Sequence, residues 1–225
     1  MLAYSVGVYY DSKMSKTVFI FPLPKISLQP GTTKPLNIFE PRYLKMIKDS
    51  CSEQVPVALA YGLVESEPLS DVPCVRIDHE ALPLVHETIC MGIPEIVQEC
   101  SDGSMVIVLS GMTKGKITGV VESNEPYIIC EYEEIYDDNE LQAENILLLR
   151  RLKTKLEKWV SKKVRLECQK DLLSPCLSQA SRVVGLYVEL MIECPETKQK
   201  ILEMSDINTK IQYLIFNCER NSNIS

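Results

Sequence analysis

The stretch Phe19–Met46, which reads FIFPLPKISLQPGTTKPLNIFEPRYLKM, organises the first half of the chain. Two apolar runs, Val18–Leu23 and Pro35–Phe39, flank the pair Pro30-Gly31. In this pair proline fixes its own φ and glycine is free to take a positive φ, which is what a tight turn requires. We therefore predict a strand, a sharp reversal and a second extended segment.

The same stretch ends in a helix signal. Pro41 suits the first position of a helix, where its missing N–H is not needed. Tyr43, Met46 and Ile47 then follow at helical spacing. The chain is therefore predicted to change from strand to short helix at Pro41.

The turn Phe39–Tyr43 has two interpretations. In the one we favour, Glu40 and Arg42 cap or clamp the strand-to-helix turn, while Phe39 and Tyr43 pack inside. In the other, Glu40 and Arg42 are surface contacts for a client protein. The favoured interpretation makes these residues structural.

Apolar segments separated by turn signals predict further strands in the first half. These segments are Val55–Tyr61, Ile93–Cys100, Met105–Ser110, Thr113–Glu122 and Tyr127–Ile135. Asp102-Gly103 tolerates the positive φ of a hairpin turn. Between Glu65 and Thr88, prolines interrupt the pattern, and we expect a long loop with short strands. Since helical crossovers between the later strands are missing, a small closed β-barrel fits better than a doubly wound sheet.

From Leu141 the apolar period changes from two to about 3.6, which predicts helices. One face of the first long helix carries Leu149, Leu152, Leu156, Trp159, Val160 and Val164. Ser174-Pro175 predicts the start of a second helix, Pro195 a third, and Asp206 a cap for a fourth that runs to about Arg220. The predicted class is α+β, with an N-terminal arm or extra strand (1–16), a barrel (17–138) and a helical part (139–225).

Composition is typical of a soluble globular protein, with 45% hydrophobic and 24% charged residues. The nine cysteines form no Cys-x-x-Cys pair, so a zinc site is not indicated and we interpret them as reduced thiols. Residues 1–10 lack a basic leader signal, and no run approaches the roughly 20 apolar residues of a membrane span. We predict a cytoplasmic protein without a membrane span.

Charge is distributed unevenly. Residues 1–137 carry 10 Lys or Arg against 19 Asp or Glu, whereas residues 138–225 carry 14 against 12. The acidic first half argues against nucleic-acid binding by the barrel itself. The segment 150–170 is instead basic, and it is either a solvated helix face or a docking surface for an acidic partner, a lipid headgroup or nucleic acid. The candidate partner-binding residues are Arg150, Arg151, Lys155, Lys158 and Lys162.

The sequence contains no convincing motif for nucleotide binding, metal binding or catalysis. Ser110–Ile117 resembles a phosphate loop, but its first glycine, Gly111, is one residue too close to Gly115-Lys116. Ile117 also occupies the position where a phosphate loop has Ser or Thr to bind Mg²⁺. We therefore expect a β-turn. His79 and His86 lie beside carboxylates, and we expect them to be paired rather than metal-bound. The usual local frames for an activated serine are missing. We assign no catalytic residue, no metal and no cofactor.

Two blocks of the sequence resemble the N-terminal, substrate-binding domain of Lon-type proteases. The first block contains Pro22-Leu23-Pro24, Pro30-Gly31 and Pro35–Tyr43 in the family's order. The second contains Met91–Ile96, Asp102-Gly103, Val106–Gly111 and Tyr127–Glu133, and is similar to the family's glycine-led strand, hairpin and closing strand. The resemblance implies a PUA-like barrel. It also implies that the motif residues Pro30, Gly31, Phe39, Glu40, Pro41, Arg42 and Tyr43 belong to that fold.

The resemblance implies a non-catalytic protein-recognition module. Lon proteases add an ATPase module and a Ser-Lys peptidase domain, and these 225 residues contain neither. The expected partners are protein clients or unfolded segments, together with a protease or adaptor, and burial of apolar segments in a barrel or inter-domain groove would supply affinity. Two alternatives stay open: a nucleic-acid-binding PUA-like protein that uses the basic helix 147–165, and a small-molecule sensor. The sequence does not indicate an oligomeric state.

Overall fold

The computed structural model describes residues 16–64, 72–77, 79–163 and 175–218. The arm predicted at the N-terminus lies almost entirely outside these residues. The strands are β1 (Lys16–Pro24), β2 (Thr33–Ile38), β3 (Val57–Leu63), β4 (Cys74–Arg76), β5 (Leu84–His86), β6 (Thr88–Gly92), β7 (Pro94–Glu99), β8 (Met105–Ser110), β9 (Thr113–Val121) and β10 (Ile128–Ile135). The α-helices are α1 (Pro41–Glu53), α2 (Ile146–Lys163), α3 (Ala180–Met191), α4 (Pro195–Glu203) and α5 (Ile207–Tyr213).

Strand β1 closes the barrel. It pairs antiparallel with β10 and parallel with β3, and the order β1-β10-β9-β6-β3 therefore returns to its start. Strands β5 and β4 extend this sheet beyond β3, while β2, β8 and β7 form a separate three-stranded sheet. All seven residues of β3 are buried, as expected for a strand with neighbours on both sides. The predicted barrel is confirmed, and a helix follows the second strand of the chain, as predicted.

Local turn signals are confirmed as well. Gly31 has φ +75° and Gly103 has φ +85°, so both glycines occupy the left-handed region where a side chain would be strained. Helix α1 begins at Pro41, as predicted. Strand β6 was not predicted as a separate element, because all five of its residues are buried and no alternation marks it.

The prediction that Phe39 packs inside is wrong. Its neighbour Ile38 is 1% exposed and Phe39 is 69% exposed, since successive residues of an extended chain point to opposite faces. Tyr43 is buried, as predicted. Glu40 makes no capping hydrogen bond and instead pairs with Arg42, whose Nη2 lies 2.8 Å from Glu40 Oε2. The clamp is thus a partly exposed ion pair over the first turn of α1.

The helical part has a core of its own. Leu152, Leu156 and Val160 of α2 pack with Val184 and Val188 of α3 and with side chains of α5. The helix predicted from Ser174-Pro175 starts later than expected. A 3-10 turn covers Pro175–Ser178, and the extended Gln179 (φ −109°, ψ 135°) separates it from α3.

Helix α5 begins at the predicted cap. The Asp206 carboxylate accepts hydrogen bonds from the backbone N–H groups of Asn208 (3.1 Å) and Thr209 (2.8 Å). The Thr209 hydroxyl also donates to this carboxylate. The hydroxyl bond has the largest effect, and together with the backbone bonds it lowers the pKa of Asp206 to about 2. A short π-helical turn, Leu214–Cys218, follows α5 and ends the described chain.

Helix α4 attaches the helical part to the barrel. Its Leu202 is fully buried within a core cluster of the barrel. Polar contacts surround it: Gln199 Nε2 donates to the carbonyl of Thr88 (3.0 Å), and His86 Nδ1 lies 2.8 Å from Glu203 Oε1. His86 is therefore paired with a carboxylate, as expected, but the carboxylate comes from a helix more than a hundred residues away. None of the described helices combines the length and the hydropathy that a membrane-spanning helix needs.

Candidate functional site

A groove of about 330 Å³ lies at the junction of the barrel and the helices. Separate segments of the chain line it: the turn between β1 and β2, the start of β9, the end of β10 and the start of α3. Its lining residues are Pro30, Gly31, Met112, Thr113, Lys114, Glu134, Ile135, Tyr136, Asp137, Asn139, Gln179, Ser181 and Arg182. The groove therefore exists only once the two parts of the chain are docked.

Two large side chains at the groove are open to solvent. Met112 is 74% exposed and Tyr136 is 80% exposed. The Tyr136 hydroxyl donates to Glu134, whose carboxylate also accepts from Lys16 Nζ at 2.6 Å. The bond from Lys16 holds the pKa of Glu134 below its usual value, so Glu134 stays ionised and keeps both partners. Tyr136 is thereby anchored at its hydroxyl while its ring remains accessible.

Close packing sets the wall formed by α3. The N–H of Gly31 donates to the carbonyl of Gly111 at 2.8 Å, which ties the turn to the connection between β8 and β9. A Cβ added at Gly185 of α3 would lie 2.7 Å from the carbonyl oxygen of Pro30. Only a glycine allows the helix and the turn to approach this closely.

A buried charge cluster lies under the groove. Lys114 and Lys210 are only 4% and 6% exposed, and each ammonium pairs with one carboxylate oxygen of Asp137. Lys114 Nζ also donates to the carbonyls of Leu202 (3.1 Å) and Met204 (2.8 Å). Burial, the largest effect, lowers the pKa of Lys114. All three N–H donors of Lys114 have acceptors, so this lysine joins β9 to the end of α4 and is not available as a nucleophile.

Burial also shifts the pKa of other titratable groups. Burial raises the pKa of Cys90 and of Cys130 to about 12, so both are protonated thiols at neutral pH. The cysteines whose side chains are described are free. The Tyr43 hydroxyl lies 3.2 Å from His79 Nε2, and burial lowers the pKa of that histidine. Within the described ranges, no three His, Cys, Asp or Glu side chains come together as metal ligands.

Of the residues predicted from sequence, only Pro30 and Gly31 line the groove. The other motif residues, Phe39 to Tyr43, lie at the start of α1. The basic residues Arg150, Arg151, Lys155, Lys158 and Lys162 belong to α2, which contributes no lining residue. Sequence reasoning missed Met112 and Tyr136, because nothing in a single sequence shows that two apolar residues stay exposed. The segment 110–117 contains the end of β8, the two-residue connection Gly111-Met112 and the start of β9, so a short connection between two sheets takes the place of the predicted β-turn.

A family model described as the ATP-dependent protease La (LON) substrate-binding domain matches residues 17–216. The chain belongs to the Lon substrate-binding domain family. A curated relative, the Lon protease of Syntrophomonas wolfei subsp. wolfei, is 26% identical over 202 residues. That alignment covers 88% of this chain and 22% of the relative, so the chain spans about a fifth of its length.

Solved structures of the family share the fold. The Lon N-terminal domain protein from Xanthomonas campestris superposes with a TM-score of 0.60 at 19% identity, covering 89% of this chain and 97% of that one. The N-terminal domain of the Mycobacterium avium complex Lon protease gives a TM-score of 0.62 at 16% identity, covering 89% and 96%. Both matches include helices as well as strands, so the barrel and the helical part together correspond to the family domain.

Proposed function

We propose that this protein is a non-catalytic recognition module which holds an extended, apolar segment of a client protein in the junction groove. The observation that carries the proposal is the exposure of Met112 and Tyr136 beside that groove. Membership of a substrate-binding domain family supports it. The groove has about 330 Å³, at the small end of ligand sites, and thus suits part of an unfolded chain and not a folded domain.

The lining can serve both components of an extended peptide. Apolar client side chains would cover Met112 and the Tyr136 ring, and removal of this apolar surface from water supplies the affinity. Backbone groups of the client would face the polar side chains of Asn139, Gln179 and Ser181, which also line the groove. Since backbone groups and apolar contacts are common to all unfolded chains, such a site selects for exposure of a segment more than for its exact sequence.

The proposal is tested with a permanently unfolded protein, fluorescently labelled lactalbumin that has been reduced and carboxymethylated. The variant Met112→Ser/Tyr136→Ser should bind it at least about tenfold more weakly by fluorescence anisotropy. Full burial of one such side chain is worth about 1.5–3 kcal/mol, and about 1.4 kcal/mol corresponds to a tenfold change in Kd. Both residues are exposed, so the fold itself should be unchanged in circular dichroism.

A matched control is available on other surfaces. Phe39 and Val97 are 69% and 59% exposed, and neither lines the groove. The variant Phe39→Ser/Val97→Ser should bind the unfolded probe like the wild type. Equal losses in the two double variants, or equal binding of native and unfolded lactalbumin, would refute the groove as a client site.

A further inference from the structure

Helix α2 presents one continuous exposed face. The members of this face, which we call the α2 outer face, are Leu147, Arg150, Arg151, Thr154, Lys158, Ser161 and Lys162, and all are exposed. At 100° per residue these positions fall within an arc of about 120°, on the side opposite the buried Leu152, Leu156 and Val160. With a rise of about 1.5 Å per residue, the α2 outer face is about 22 Å long.

The α2 outer face is basic and largely not neutralised. Helix α2 reads ILLLRRLKTKLEKWVSKK, so Glu157 is its only acidic residue. Arg150, Lys158 and Lys162 form no ion pair within the part of the chain that the structure describes. By contrast, the buried Lys114 and Lys210 are both paired with the carboxylate of Asp137. The charges of Arg150, Lys158 and Lys162 are thus available to a partner.

The N-terminal end of the same face is apolar. Leu147 is 73% exposed and the adjacent Ile146 is 51% exposed. A single exposed leucine is common on protein surfaces. Leu147, however, lies next to a second exposed apolar residue and on the same helix face as the cations. A ligand that covered the whole face would need acidic groups along most of its length and an apolar group at one end.

We propose that the α2 outer face docks an acidic protein segment, whose carboxylates pair with Arg150, Lys158 and Lys162 while an apolar residue packs on Leu147. Charge complementarity gives the orientation and speeds association, and the leucine contact adds burial that does not depend on salt. The site lies on a different element from the junction groove. It is therefore independent of the proposed client site, and either one can fail without the other.

A protein segment fits this face better than nucleic acid does. The apolar end has no role against a phosphate backbone, which is recognised by cations and hydrogen-bond donors. A duplex longer than about 22 Å would also extend past α2. Residues 1–137 carry 19 acidic against 10 basic residues, so the first part of the chain offers a long polyanion no further attraction. A short acidic segment needs only the cations of α2.

The test uses a synthetic 16-residue helical peptide with glutamates and a single leucine on one face, labelled with fluorescein. A second peptide, with every glutamate replaced by glutamine, is its control. Fluorescence anisotropy with the full chain should show binding of the acidic peptide only. Its Kd should rise steeply between about 50 mM and about 500 mM salt, because the Debye length falls from more than 10 Å toward a few Å.

Two charge reversals locate the site. Lys158→Glu should weaken binding about fivefold or more at low salt, the scale of losing and reversing one exposed charge contact. Lys48→Glu makes the same change on α1, where Lys48 is exposed, and should leave the Kd nearly unchanged. Leu147→Ser should weaken binding at high and low salt alike, since the lost contact is apolar.

Three results would overturn the proposal. Equal effects of Lys48→Glu and Lys158→Glu would mean that only net charge matters. Tighter binding of a 20-base-pair duplex or of anionic vesicles than of the acidic peptide would assign the face to a different partner. Self-association that disappears in Lys158→Glu, seen by sedimentation, would make a second copy of the chain the occupant.

Discussion

Asp137 forms ion pairs with one lysine of the barrel and one lysine of the helical part. Its carboxylate holds two buried ammonium groups, that of Lys114 on β9 and that of Lys210 on α5. Removal of one partner from a buried ion pair costs about 3–5 kcal/mol, because the remaining charge is left without compensation. Loss of Asp137 leaves two such charges, whereas loss of Lys114 leaves Asp137 still paired with Lys210.

We therefore predict that Asp137→Ala lowers the free energy of unfolding by at least about 3 kcal/mol, and that Lys114→Met lowers it by less. Urea denaturation at neutral pH measures both. Glu134→Gln serves as the control, since it breaks an ion pair to Lys16, whose side chain is 55% exposed, and such pairs contribute little. If Lys114→Met proved the more damaging of the two, the carbonyl contacts of Lys114 would matter more than its charge.

The close contact between helix α3 and the β1–β2 turn also contributes to stability, and it depends on Gly185. In most helices Gly→Ala is stabilising, by about 1 kcal/mol. Gly185→Ala should instead destabilise, since its Cβ would lie 2.7 Å from the carbonyl oxygen of Pro30 and this backbone atom cannot turn aside. Overpacking of this kind costs about 1–3 kcal/mol.

The thermal midpoint of Gly185→Ala should therefore be several degrees lower, about 2–4 °C for each kcal/mol at this chain length. Gly119→Ala is the matched control, because nothing lies within 4 Å of a Cβ built at Gly119. If both variants melted like the wild type, α3 would be free to shift away from the turn. The width of the junction groove would then not be fixed by this contact.

Elements whose signals are local could be predicted from the sequence. Gly31, Gly103 and Pro41 act through their own backbone geometry, and the turns and the helix start lie where these residues indicate. Strand β6 and the exposure of Phe39 depend on which neighbours cover them, and this information is not local. The start of α3 was misplaced because Ser-Pro suits a 3-10 turn as well as an α-helix.

The junction groove was beyond prediction for a related reason. Its lining residues extend from Pro30 to Arg182, so only the tertiary fold brings them together. The sequence indicated the family, and the resemblance to that family implied a binding groove in the barrel or between the two parts of the chain. It did not indicate Met112 or Tyr136, whose importance follows from exposure beside a concave surface. The basic character of α2, by contrast, could be predicted, because helical periodicity separates its apolar stripe from lysines and arginines that are spread around the rest of the helix.

For the molecule as a whole, we predict that the barrel and the helices unfold as one cooperative unit. Leu202 of α4 is part of a barrel core cluster, and the Asp137 cluster ties β9 to α5, so neither part keeps its contacts alone. Trp159, the only tryptophan, reports on the helical core, while amide exchange of β3 reports on the barrel. Both should give the same urea midpoint. An earlier midpoint for Trp159 would show two independent domains, joined by a contact too weak to hold a groove open for a client.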